Sequence, residues 1–266
     1  MKILSFLLIL LSTPTLFAQN NLGPRLTAMG NNGAAVSDVW SVQANPAAIS
    51  NLQKLSISIN YIKHLFSNEI STQAFVAVLP FKQNFVGLSF QRYGFSAYNE
   101  HKIGFAYAKK FGDNFSTAIN ANYHQIKISS YGATKGFSVD LGALYHFDNQ
   151  LIFGAFVSNP SKQKFNSAEI AANIPISFNI GASYLASDRV LLAATISEVI
   201  HNQIEVKFGL EYQLMSLLSL RGGLSAKPFK QYAGFGLNYK KFLLDMATTY
   251  DANLGSAPQI ALGYAF

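Results

Sequence analysis

The chain has 266 residues, a net charge of +7 and no cysteine. Apolar residues make up 50% and charged residues 12%, the latter about half the usual share. That balance excludes a disordered chain and a coiled coil. The missing cysteine excludes disulfides, thiolate metal sites and a cysteine nucleophile.

Met1-Lys2 forms a short positive n-region. Residues 3–11 are almost wholly apolar, Ser12-Thr13-Pro14 breaks the run, and Ala18 places a small residue before Gln19. The pattern predicts a secretory signal peptide over residues 1–18, cleaved near Ala18. The alternative is an anchoring helix. It fits less well, because the apolar core is about ten residues and a span needs about 20. No cysteine follows the cleavage point, which excludes a lipoprotein. Without Lys2 the net charge of +7 falls to +6, spread along the chain. No Lys/Arg run marks a nucleic-acid patch.

Residues 19–52 lack period-2 alternation and are rich in small side chains. Gly30 and Gly33 permit turns that other residues resist. Asn45-Pro46 is a turn initiator, and Pro46 suits the first position of a short helix.

From residue 53 to 266 the chain reads as strands. Ile204-Glu205-Val206-Lys207-Phe208-Gly209-Leu210-Glu211-Tyr212 carries apolar residues on one face and Glu, Lys, Gly and Glu on the other. Such alternation marks a half-buried strand. The expected strands lie near 54–65, 69–79, 84–93, 102–110, 115–127, 136–147 and 151–158. They continue near 176–186, 190–198, 203–213, 217–225, 231–240, 242–250 and 258–266. That gives an all-β chain of about 14 strands, with 12 possible because alternation is broken in 69–79 and 242–250. Many of these segments exceed the 5–6 residues usual in soluble sheets and approach membrane-barrel length.

Tight polar turns at 111–114, 148–150 and 187–189 alternate with expected longer connections near 93–101, 127–135, 158–175 and 251–258. Short periplasmic turns with longer outer loops are the outer-membrane barrel pattern. Aromatics cluster beside the tight turns. Phe81/Phe85, Phe111/Phe115, Tyr145/Phe147 and Tyr239/Phe242 are expected to form an interfacial girdle. The last strand alternates to a terminal aromatic, with Tyr264 and Phe266 on its apolar face. This ending resembles the insertion signal read by the barrel-assembly machinery; an ordinary last strand is the alternative.

The inward face is small. Gly104, Ala106, Ala108, Gly142, Gly154, Gly181, Ser183, Gly223, Gly234, Gly236, Gly263 and Ala265 fall on it. Small barrels fill their interior with large side chains, so this face implies a lumen occupied by something else. The expected occupant is the segment 19–52, acting as a plug. The competing explanation is that glycines permit strand bending. On the same face, a turn centred on Ser216 sets Glu211 opposite Arg221 as a lumenal charge pair. In a wet lumen the pair is worth about 0–1 kcal/mol, and a plug that dries the region raises the cost of breaking it.

The N-terminal segment resembles a known family. It reads Arg25-Leu26-Thr27-Ala28-Met29-Gly30, then Gly33-Ala34-Ala35, Asp38 and Trp40, then Asn45-Pro46-Ala47. This pattern is similar to the N-terminus of FadL-type outer-membrane proteins, most of all their PorV/PorQ-like branch in the Bacteroidetes. Leu220-Arg221-Gly222-Gly223-Leu224 and the ending from Pro258 to Phe266 are similar to that branch as well. The resemblance implies a fourteen-strand barrel whose N-P-A segment leads from a lumenal plug into the first strand. It implies an integral outer-membrane location.

Two functions follow from it. The first is a non-catalytic scaffold or accessory component of type IX protein secretion, with secretion-system proteins as partners. The second is a passive channel for small hydrophobic compounds, which predicts an apolar lumenal pocket and a hatch that moves. The chain is much shorter than a fatty-acid-transporting FadL, which removes the large outer loops of the entry groove. No cofactor is implied. An enzyme is not supported, because the five histidines (His64, His101, His124, His146, His201) join no G-x-S-x-G or H-E-x-x-H motif. His124 and His146 are expected on inward faces of neighbouring strands. No His/Asp/Glu cluster has metal-ligand spacing.

Overall fold

The computed structural model describes residues 21–67, 69–166, 172–200 and 202–266. The expected signal peptide, 1–18, lies outside them, as does His201. Fourteen antiparallel strands close into one barrel. They are β1 Ser56–Lys63, β2 Ser71–Phe81, β3 Asn84–Gly94, β4 Tyr98–Phe111, β5 Phe115–Ile128, β6 Gly132–His146 and β7 Leu151–Ser158. Then come β8 Ser177–Ser187, β9 Val190–Val199, β10 Glu205–Met215, β11 Leu218–Ala226, β12 Lys230–Tyr239, β13 Phe242–Asp251 and β14 Gly255–Ala265. Each strand pairs with its sequence neighbours, and β1 closes on β14 with Ile59 opposite Leu262. Closure leaves no open edge to aggregate. The broken stretches 69–79 and 242–250 are both real strands, which excludes the count of twelve.

The alternation decides which face is which. On β10, Lys207 and Gly209 are buried inside while Phe208 is 58% exposed outside. Ile180, Phe137, Phe105 and Leu262 are likewise outward and exposed. The barrel therefore wears its apolar side chains on the outside, as a lipid-facing wall does.

The start of β1 and the end of β14 meet at one rim, called proximal here. There the Phe266 N–H donates to the Leu55 carbonyl at 2.9 Å. Phe81, Phe111, Phe115, Tyr145, Phe147, Tyr239, Phe242 and Phe266 are exposed around this rim, and Tyr264 packs edge-on against Phe242 and Phe266. Lys82, Lys109, Lys240 and Lys241 set their ammonium groups over rings of this girdle, 5.3–5.8 Å from the centroids. Long basic side chains snorkel this way at an interface.

Phe85 departs from the expected girdle. It is 4% exposed and packs inside. Cross-strand partners share a face; Phe85 pairs with Pro80, while Phe81 pairs with Asn84 and points out.

At the opposite, distal rim three expected long connections are short. Only 95–97, 129–131 and 252–254 separate the strands there. The strands run on past the lipid-facing band, where outward positions turn polar, so alternation fades and the sequence reads as loop. The connection 159–176 is long. Its start continues beside β6, with Asn159 N–H donating to Val139 and Asn166 N–H to Lys135. It then tucks Ile174 inside, 6% exposed.

The turn between β10 and β11 also differs from expectation. It comprises Ser216 and Leu217, and a register shift between Gln213 and Met215 restores the pairing expected from a turn centred on Ser216.

Candidate functional site

Residues 21–52 fill the lumen. Gly23–Ala28 forms a short α-helix, α1, with Pro24 in its first turn. Gly30 then turns the chain at φ +77°, where a side chain is strained. Val39–Gln43 and Pro46–Asn51 are short 3-10 helices. Asp38 caps the first: its carboxylate accepts from Trp40 N–H at 3.0 Å, and Ser41 Oγ accepts from Asp38 N–H at 3.0 Å. This reciprocal arrangement satisfies amides that a helix start leaves unpaired.

The Asn-Pro-Ala motif has a mechanical reading here. Asn45 Oδ1 accepts from Ala47 N–H at 3.1 Å and caps the second 3-10 helix. Its Nδ2 donates to Ala34 O at 2.7 Å and to Ala143 O on β6 at 2.9 Å. One side chain thus closes the helix, ties the segment to itself and fixes it to the wall. Pro46 supplies a helical φ, and Ala47 is fully buried beside Gly142.

The small wall residues form the mould for this segment. A Cβ at Gly154, Gly209 or Gly223 would fall within 3.0 Å of Ala34 O, Met29 O or Gly30 N. At Gly142 it would strike Asn45 Oδ1, and at Gly234 it would sit 2.7 Å from Ala28 Cβ. Gly33 plays the same part within the segment, where a Cβ would sit 2.5 Å from Ala44 Cβ. Strand bending does not explain these contacts. Gly104 and Gly263 differ: their neighbours are wall side chains, Ser89 and Leu243. Apolar contacts complete the seat. Val42, Ala47 and Ile49 pack with Val78, Phe85, Ala106 and Leu144, and Leu26, Met29 and Trp40 pack with Val76 and Ala193. Trp40 Nε1–H also donates to Ser58 Oγ on β1 at 3.2 Å.

Five charged side chains form one network between segment and wall. Glu211 stands directly opposite Arg221 in the β10–β11 ladder, and Arg221 Nε–H donates to its carboxylate. Arg25 reaches the same carboxylate from α1, Nε to Oε2 at 2.8 Å and Nη2 to Oε1 at 2.7 Å. Arg25 also lies 3.3 Å from Asp38 Oδ2, and Arg221 pairs with Asp245 on β13. The order is Asp38–Arg25–Glu211–Arg221–Asp245. Gly236 leaves the space that the Arg221 guanidinium occupies. Sequence reasoning reaches the central pair and misses Arg25 and Asp245. The available signal was a lone Arg in the plug motif and an Asp in the middle of the inward face of β13.

Hydrogen bonds between segment and wall run through side chains. They include Asn21 Nδ2 to Asn60 Oδ1 at 2.7 Å, Ser50 Oγ to Ser116 Oγ at 2.8 Å and Ser183 Oγ to Ala35 O at 2.9 Å. The segment is packed inside the barrel but does not belong to its ladder.

Filling the mould tests this seat. Gly209→Leu is expected to push Met29 and loosen the segment, at about 1–3 kcal/mol or more for an overpacked site. The readout is faster tryptic cleavage after Arg25. Gly222→Leu, at an outward position with nothing within 4 Å, should leave the cleavage rate unchanged.

Above the segment, toward the distal rim, the inner wall is polar. Asn122 Nδ2 donates to Asp140 at 2.7 Å, and His124 Nε2 lies 2.9 Å from Ser138 Oγ. His124 pairs in register with Gly136, whereas His146 pairs with Ile152. Ten residues of β6 separate those levels, about 33 Å of extended chain, so the two histidines do not meet. His64 lies beyond the end of β1, where burial and then the Lys63 charge hold its pKa below the ordinary value. Among the described residues no group of three or more His, Cys, Asp or Glu is placed to hold a metal. A cavity of about 370 Å³ at the distal rim is lined by Ser197, Asn202, Gln203, Glu205 and Lys227 with Val199 and Pro228. A second of about 190 Å³ is lined by Glu69, Gln73, Arg92 and neighbours. Neither is the apolar pocket expected of a hydrocarbon channel.

No family model and no curated protein matches the chain by sequence. Solved structures do match its shape. The CymD monoaromatic hydrocarbon channel is 15% identical with a TM-score of 0.71, over 94% of this chain and 99% of that one. The Ralstonia pickettii toluene transporter TbuX is 12% identical with a TM-score of 0.72, over 94% and 99%. A Pseudomonas aeruginosa FadL homologue is 11% identical with a TM-score of 0.63, over 94% and 98%. This chain therefore has the fold of the FadL-type outer-membrane channels.

Proposed function

We propose that the protein is a passive outer-membrane channel for small hydrophobic compounds, closed by residues 21–52 acting as a hatch. The observation that carries this is the shared fold over 94% of the chain with a monoaromatic hydrocarbon channel and a toluene transporter. The side-chain attachment of the segment supports it. A hatch outside the ladder can shift without breaking the barrel. Passage needs that shift, because the segment fills the lumen. In this reading the signal peptide is removed near Ala18, and the barrel-assembly machinery inserts the chain through its Tyr264/Phe266 ending.

The test is uptake of a labelled monoaromatic hydrocarbon by cells whose outer membrane lacks other channels for it. Expression should raise the initial rate severalfold. An unchanged rate, with the barrel verified in the outer membrane, would sink the channel reading.

A second reading is kept for one reason: the short distal turns and the closely moulded segment suit a barrel that works through partners. It assigns a PorV/PorQ-like accessory role in type IX secretion. Pull-down from detergent-solubilised membranes separates the two. A co-purified secretion component favours the scaffold, and a co-purified hydrophobic small molecule favours the channel.

A further inference from the structure

We propose that the outward face of β5 and β6 at the distal rim, with the chain beside it, binds the phosphate-bearing headgroup of a membrane lipid through Lys127, Lys135 and Lys164. The inference rests on the barrel being membrane-embedded and is independent of what it transports.

The ladder registers align outward residues of β2 to β6 in rows. One row is Phe75, Phe90, Ile103, Tyr123 and Phe137, all apolar or aromatic. The row directly above it, toward the distal rim, is Gln73, Arg92, His101, Gln125 and Lys135. The change from rings to basic and amide groups within one step marks where acyl chains give way to headgroups. The Tyr123 and Phe137 rings pack at a tilt, 5.3 Å apart, just under the basic step.

Three lysines converge there. Lys127 stands opposite Ala133, two positions from Lys135 on the same face. That diagonal spacing is about 7–8 Å, so two long side chains can meet on one phosphate. Lys164 joins from the connection after β7. Asn166 N–H donates to Lys135 O at 3.0 Å, so this stretch runs beside β6. The Phe165 ring packs inward against His124 at 6.2 Å. Alternation then turns the adjacent Lys164 outward, next to Phe137. All three lysines are exposed, and none pairs with a carboxylate among the described residues.

The sectors at β8–β9 and β12–β13 lack this pattern. At the distal ends there, Glu198 faces outward opposite Phe178, and Gln231 stands opposite Tyr250. A general attraction to an anionic surface would not need one basic sector. A soluble acidic partner would not need it seated on lipid-facing rings. Charge complementarity and height together favour a lipid phosphate.

The experiment is native mass spectrometry of the full chain in detergent, titrated with phosphatidic acid or with diacylglycerol of the same acyl chains. The wild-type barrel should retain phosphatidic acid in preference to diacylglycerol. The triple variant K127Q/K135Q/K164Q should weaken that binding by about tenfold or more, given the attraction expected per lysine near an anionic surface. The triple arginine variant should retain it, and so should K54Q/K240Q/K241Q at the proximal rim. Equal binding by the triple glutamine variant would overturn the site. So would equal retention of diacylglycerol, an equal loss in the proximal control, or displacement by glycerol phosphate at the concentration at which the lipid binds.

Discussion

Deleting residues 21–50 is expected to convert a closed barrel into a conducting one. The wall closes through its own ladder, from Ser56 opposite Ala265 to Ile62 opposite Gln259. No bond in that seam comes from the deleted segment, so the strands should still meet. What disappears is the lumen's filling. The inward wall presents Gly142, Gly154, Gly209, Gly223 and Gly234, which have no side chain to close the gap. Barrels of 16–18 strands with unfilled interiors conduct water and ions. Fourteen strands with glycine-rich inner faces should do so too. Single-channel recording in planar bilayers should show steps for the deleted barrel and none for the full chain. A deleted barrel that folds yet adds no conductance would show that the segment is not what closes the pore.

How much of this was readable without coordinates differs by element. The strands were legible because a lipid-facing wall obeys strict alternation, as β10 and β14 do. Errors fall where that constraint lapses. Distal extensions such as Tyr98–His101 and Gly132–Lys135 leave the lipid-facing band, so their outward positions need not be apolar. Phe85 points inward against expectation because an aromatic beside a tight turn suits either face, and only its partner Pro80 decides.

The lumen was less legible. Small inward residues signal that something occupies the space, but not which atoms. Turn arithmetic reaches Glu211 opposite Arg221 because both flank one hairpin. It survives the two-residue turn only because β10 carries a compensating bulge. Arg25 lies 186 positions from Glu211. No local rule brings α1 to β10, and only the packed segment does so.

Removing the shared carboxylate should be the costliest single change in the lumen. Glu211 sits between two guanidiniums, Arg25 and Arg221, and among the described residues no other acid contacts both. Side-chain exposure is 14% for Glu211 and 6% for Arg221, so solvent screens this contact far less than it would a surface pair. Glu211→Gln leaves two cations facing each other, relieved only by Asp38 and Asp245 at the flanks. Breaking a buried pair on one side costs about 3–5 kcal/mol; the residual exposure argues for the lower end, about 3 kcal/mol. Urea unfolding in detergent should show the loss as a lower midpoint with an unchanged slope. A double-mutant cycle of Glu211→Gln with Arg221→Met should return a coupling of about 1–3 kcal/mol in the full chain. The same cycle in the barrel lacking residues 21–50 should fall to about 0–1 kcal/mol, because water then reaches the pair and screens it. Coupling near zero in the full chain would show that the contact does not hold the segment. Equal coupling in both forms would show that the segment does not dry the pair.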